Sequence, residues 1–358
     1  MSKPEIKKQN RLETLDHLRG FFIIVIIVDH LSRWPSIFSL ISGKALLWVT
    51  AAEGFVAISG LLVGYVRGYK NLALPFKDVS IKLLRRALLL YIWSLIASIA
   101  YVAVIWNVRL EGGSPSTPMP QGDWSTFLFQ LITMQYTWIW VHFLTLYALF
   151  LAASPIAIWF FRRNQAWIVA LISFALLVVG WITKSEALQW QFLFFIPSIA
   201  GFYLHTIQAW WKNLGKKRQT VIATTTITLT VATILLSVFF TYYAQAFQDT
   251  ANYLNNVLFA KDSISLLRAC LAFAWFIGFM FAFCKLRGVI SKYLNWLLIP
   301  IGTHSLTAYI LHGVALCIIS FFTTSGDNYV VNSLLGLVAV LLTWGLLKIP
   351  LVRRVIPA

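Results

Sequence analysis

Four ionisable residues interrupt an apolar run near the start of the chain: Asp16, Arg19, Asp29 and His30. In the centre of a lipid-facing helix a charge costs on the order of 3 kcal/mol, so such groups face a partner or a water-filled cavity. Arg19 and His30 are eleven residues apart, about three helical turns, which puts both on one face about 16 Å apart along the axis. Asp16 precedes Arg19 by one turn and shares the stripe. A stripe that opens on a guanidinium and ends on an imidazole suits a channel wall: the first binds anions, the second exchanges protons near neutral pH. For a lone histidine the plainer alternative is a hydrogen bond to a neighbouring carbonyl.

The second apolar run carries Glu53, then Ser59 and Gly60. Glu53 falls roughly 12 Å from the outer end of its helix, and His30 roughly 10 Å from the same surface of a core about 30 Å thick. Similar depth on antiparallel neighbours makes Glu53 the expected carboxylate to orient His30, as acids orient catalytic imidazoles. Pairing with Lys44 or Arg33 is the alternative. Asp29 points about 100° away from His30 and stands as a further catalytic candidate.

Late in the chain, GTHSLTAYILHG sets Ser305, Tyr309 and His312 at i, i+4 and i+7, one helical face. These can donate hydrogen bonds to a substrate or an oxyanion, or simply join helices. His142 lies among Tyr136, Trp138, Trp140 and Tyr147, and Trp190 with Gln191 opens a later run on the same side. Such a surface stacks on sugar rings or forms an interfacial belt.

Positioning these groups requires a membrane. The chain has 358 residues, 59% hydrophobic and 11% charged, with a mean hydropathy of +0.77, against about a quarter charged in soluble domains. We expect an all-α integral membrane protein, one domain over residues 1–358, with a central cavity or tunnel. About ten spans are predicted, at 17–37, 45–67, 83–107, 128–161, 166–184, 189–211, 219–245, 264–285, 293–322 and 328–350. The fourth and ninth are long enough to require a tilt, a kink or a projection.

The net charge of +17 has a topological reading. Basic clusters follow every even-numbered span: Arg67 to Arg86, Arg162 and Arg163, Lys212 to Arg218, Lys285 to Lys292, and Lys348 to Arg354. With Lys3, Lys7, Lys8 and Arg11 at the start, this puts both termini in the cytoplasm, and no nucleic acid is needed to explain the charge. Lys44, Arg109, Lys184 and Lys261 are nearly alone on the other side. Cys270, Cys284 and Cys317 lie inside apolar runs, so neither a disulfide nor a metal site is expected. No cleavable signal is evident.

The segment RLETLDHLRGFFIIVIIVDH resembles the first span of the acyltransferase-3 superfamily, with an LD-x-x-RG motif and an Arg-x10-His pair at Leu15, Asp16, Arg19, Gly20 and His30. AAEGFVAISG is similar to the OpgC-like branch, through Ala51, Ala52, Glu53, Phe55, Val56, Ser59 and Gly60. An Arg-x-x-Arg opens the superfamily's third span; here Lys82 and Arg85 hold those positions. WQFLFF and GTHSLTAYILHG also match the pattern. Where OpgC-like proteins tend to have an Asp opening the fourth span, this chain has His142.

The resemblance implies a multi-pass enzyme of the bacterial cytoplasmic membrane that moves an acyl group from acyl-coenzyme A to an extracytoplasmic glycan or glycolipid. Acetyl-coenzyme A and succinyl-coenzyme A are the family-like donors. Arg19, Lys82, Arg85 and Arg86 are the expected cofactor contacts, since phosphates seek cations. The pantetheine arm matches the Arg19-to-His30 rise, so the thioester could reach His30 as general base, or as a transient acyl acceptor. Ser59, His142, Trp190, Gln191, Ser305, Tyr309 and His312 are the substrate-side candidates. N-acyl transfer to an amino sugar, a transporter with Arg19 and His30 along its path, a scaffold without activity, and self-association into a homo-oligomer are left open.

Overall fold

The computed structural model describes residues 13–107, 117–260, 263–323 and 326–356. Lys3, Lys7, Lys8, Arg11, Arg109 and Lys261 lie outside the described residues. The described residues are helical, with no strand among them, the arrangement a bilayer imposes because helices satisfy every backbone group internally.

The elements that matter are α1 (Glu13–Leu31), α2 (Ala51–Leu62, continued by wider π-type turns over Val63–Lys70), α3 (Phe76–Asn107), α4 (Trp124–Ile132), α5 (His142–Arg162), α6 (Ala166–Thr183), α7 (Glu186–Phe202), α8 (Leu204–Asn213), α9 (Lys216–Tyr242), α10 (Leu266–Lys285), α11 (Asn295–Thr303), α12 (Ser305–Phe322) and α13 (Tyr329–Lys348). Seven of these (α3, α5, α6, α9, α10, α12 and α13) are long and apolar enough to cross a membrane, and α7 with α8, bent by 61°, passes the same test as a pair and makes an eighth if the two form one broken span. The two expected spans outside that set are α1 and α2. Asp16, Arg19 and Asp29 interrupt the first, and the second is only 12 residues long before its turns widen. The two over-long spans resolve into breaks: α4 stops nine residues before α5 begins, and α11 gives way to α12 at His304.

α1 packs against α2, α10, α11, α12 and α13, and α12 is 72% buried over its apolar window, against 11% for α9. The stripe-bearing helices therefore occupy the middle, and α9 sits on the rim. The starts of α1 and α3 and the ends of α2, α5 and α10 meet at one end of the bundle. There Arg162 Nη2 donates to the carbonyls of Asn71 (3.0 Å) and Leu74 (2.8 Å), and Arg287 pairs with Glu13. Lys82 and Arg85 are exposed at this basic end, with Arg86 half-buried beside them.

Two glycines let α1 and α11 touch backbone to backbone. A Cβ on Gly20 would collide with the Leu298 carbonyl, and one on Gly302 with the Asp16 carbonyl. Close small-residue crossings are a main source of helix association in lipid. Gly20→Ala is expected to destabilise the protein by about 1–3 kcal/mol through overpacking, while Gly288→Ala, with open space around it, leaves stability unchanged. Thermal melts in detergent followed by size-exclusion check this; equal melting for both variants would reject the close crossing.

Candidate active site

α1 and α12 run in parallel, joined by two side-chain contacts. Arg19 Nη2 donates to Ser305 Oγ, and His30 Nδ1 lies 2.8 Å from His312 Nε2. Between these contacts α1 rises about 16 Å and α12 only about 10 Å. The difference of about 6 Å is within the reach of the long Arg19 side chain, which makes the contact with Ser305.

The proton order of the histidine pair follows from its surroundings. Buried His312 places Nδ1 against the Tyr309 carbonyl, which can only accept, so Nδ1 carries the hydrogen. A neutral imidazole has one donor, so Nε2 of His312 must accept, and His30 Nδ1 is the donor. The basic nitrogen of His30 is then Nε2. Orientation of His30 comes from a second histidine, one turn beyond the carbonyl that sets it.

Glu53 does not perform that task. Its Oε1 accepts from Arg268 Nε (2.7 Å) and Nη2, and its Oε2 from Thr50 N (2.9 Å) and Thr50 Oγ1 (2.6 Å). Arg268 Nη1 continues to the Phe259 carbonyl (2.9 Å). Both side chains are sealed from solvent. The expectation failed because equal depth does not imply facing sides: Glu53, in the first turn of α2, reaches back to Thr50 as in a capping box and turns toward the start of α10. Lys44 and Arg33 are not its partners either.

His30 opens onto a cavity of about 150 Å³, lined also by Ile26, Ala52, Phe55, Ile139, His142, Phe143, Leu146, Glu186, Trp190 and Tyr309. Across it His142 Nε2 lies 2.8 Å from Glu186 Oε2. The Phe55 ring forms part of the cavity wall. It is fully buried, lies parallel to Tyr309 (6.4 Å, 14°) and edge-on to Phe143 (5.6 Å, 78°), and has the Arg19 guanidinium 6.0 Å from its centroid.

Of the sequence candidates, His30, His142, Trp190 and Tyr309 thus share one wall system, and Arg19, Ser305 and His312 stand directly behind it. Others lie elsewhere. The Ser59 hydroxyl donates to the Phe55 carbonyl of its own helix (2.9 Å). Gln191 crosslinks α7 to α6, donating to the Ser173 carbonyl (2.8 Å) and accepting from Ser173 Oγ (2.8 Å). Neither touches the cavity, because helical rotation turns both into packing seams. Asp29 is not part of the cavity wall. His312 cannot serve as an oxyanion donor, since both of its nitrogens are engaged. Arg268, Glu186 and Phe55 were not among the expected site residues. An arginine inside the apolar run SLLRACLAFAW was a visible signal for the first; Glu186 stood four residues before Trp190, on the same helical face.

No curated protein and no solved structure matches the chain. A family profile described as OpgC protein matches residues 11–349. That match supports a membrane-associated, acyltransferase-like role in glycan modification. It runs from the approach to α1 through the whole of α13, and the chain belongs to the OpgC protein family.

Proposed function

We propose that the protein transfers an acyl group from cytoplasmic acyl-coenzyme A to a hydroxyl of an extracytoplasmic glycan or glycolipid, with His30 as general base. The observation that carries this reading is the His30–His312 contact on a cavity wall, with the Arg19 guanidinium 6.0 Å from the centroid of Phe55 in that wall. In this reading the basic end is cytoplasmic, the bundle crosses a bacterial inner membrane ten times, and α1 and α2 supply the first two crossings.

Lys82, Arg85 and Arg86 meet the donor's phosphates at that end. Arg67, half-buried near the same end, adds to them. Arg19, steadied by Ser305, guides the pantetheine arm toward Phe55. The acceptor hydroxyl gives its proton to His30 Nε2, and its oxygen attacks the thioester carbonyl. The carbon–sulfur bond breaks, an ester forms, and the coenzyme A thiolate takes the proton back from the imidazolium. Tyr309, in the cavity wall, is the hydroxyl best situated to donate to the oxyanion. Low dielectric strengthens each of these charge contacts.

Oriented proteoliposomes test the reading. Labelled acyl-coenzyme A on the basic face and a glycan pool on the other are expected to give labelled glycan, with the coenzyme A moiety staying on its own side. Arg19→Gln is expected to raise the donor KM by about 10- to 100-fold, the value of a charge-assisted hydrogen bond. Passage of intact coenzyme A across the membrane, or no acyl transfer to any glycan, would overturn it.

A further inference from the structure

We propose that Glu186, His142 and Trp190 form a subsite for a single neutral sugar ring of the acceptor, and that Glu186 excludes anionic sugars from it. This rests on the transfer reading above and names the substrate class for its outer cavity.

Glu186 and Trp190 are one turn apart on α7, so they present one face. His142 begins α5 opposite them and holds Glu186 through a single 2.8 Å contact. Among the described residues, the contacts of two acidic side chains, Glu53 and Glu186, are built differently. Glu53 and Arg268 are 0% and 1% exposed, with every carboxylate oxygen engaged. Glu186 and His142 keep side-chain exposures of 51% and 38%, and among the described residues Glu186 Oε1 and His142 Nδ1 make no further hydrogen bond. A structural brace spends its polar atoms inside the protein; this pair keeps two for a ligand.

The ligand must bring hydroxyl donors for a carboxylate and a flat C–H face for an indole, which is what a pyranose ring offers. A cavity of about 150 Å³ is below the roughly 300 Å³ at the small end of ligand pockets, so it takes one ring and leaves the rest of the glycan outside. Ile26, Ala52, Ile139 and Leu146 complete an apolar lining, and a second carboxylate held there would lie within the Debye length of about 8 Å from Glu186, close enough to be repelled.

The test measures binding without any donor, in nanodiscs holding the whole protein, by saturation-transfer NMR. The probes are a methyl hexopyranoside and the matching methyl hexuronide. The neutral sugar is expected to bind wild type at least tenfold better than the hexuronide. Glu186→Gln, isosteric and uncharged, should bring the two to parity by admitting the hexuronide. Trp190→Ala should lose both sugars, and Trp190→Phe should retain part of the neutral sugar's signal.

Equal binding of the two probes to wild type, no hexoside signal, or indifference to both Glu186→Gln and Trp190→Ala would overturn the subsite. Donor consumption is measured separately. Failure of acyl transfer with intact sugar discrimination would therefore strike the transfer reading, whereas intact transfer without discrimination strikes the subsite alone.

Discussion

His30→Ala is expected to lower kcat for acyl transfer by about 10²- to 10⁴-fold, the usual contribution of a positioned general base, with the donor KM unchanged. The argument extends to His312. If the Tyr309 carbonyl fixes the His312 proton and His312 in turn accepts from His30, then His312→Leu removes the acceptor that keeps the His30 lone pair on Nε2. Loss of the correct tautomer is costly even where geometry survives, so a fall in kcat of about 10²-fold is expected. His312→Gln carries an amide oxygen near the position of the lost nitrogen and should recover a large part of that fall. A purely structural role would instead show parallel losses for leucine and glutamine, tracking melting temperature. Single-turnover rates with labelled donor distinguish the two. Wild-type turnover in His312→Leu would remove His312 from the mechanism.

The second large effect concerns Glu53 and Arg268. Removing either partner leaves an uncompensated charge in a sealed site, at a cost of about 3–5 kcal/mol. Glu53→Leu and Arg268→Met alone should therefore fail to survive extraction or melt far below wild type. The double variant replaces the pair by apolar groups and should recover most of the loss, apart from about 1 kcal/mol for the missing Thr50 cap. A strong positive coupling in this cycle is the expected result. The double variant also separates two roles for Glu53. If it acts only as a brace, the stable double variant transfers acyl groups. A folded but inactive double variant would return Glu53 to the chemistry and contradict the assignment of His312 as the group that orients His30.

Much of the fold was open to sequence reasoning because lipid simplifies the rules. Apolar runs of span length, and basic residues after every second one, are readable without coordinates. The breaks at residues 133–141 and at His304 were signalled only as excess length, since no local motif says where a long span gives way. The stripe Arg19–His30 and the row Ser305–Tyr309–His312 were legible for the same reason: spacing within one helix determines which side chains share a face.

Partnership between helices was another matter. Glu53 and Arg268 are 215 residues apart in sequence, and His30 and His312 are 282 apart; nothing in either local pattern specifies the rotation that joins them. The residue types and the membrane class are thus written in the chain, because helical periodicity and hydropathy are local. Which histidine holds the base, and which acid looks into the cavity, was decided only when the packed helices set their mutual rotation and depth, a property of many distant contacts acting at once.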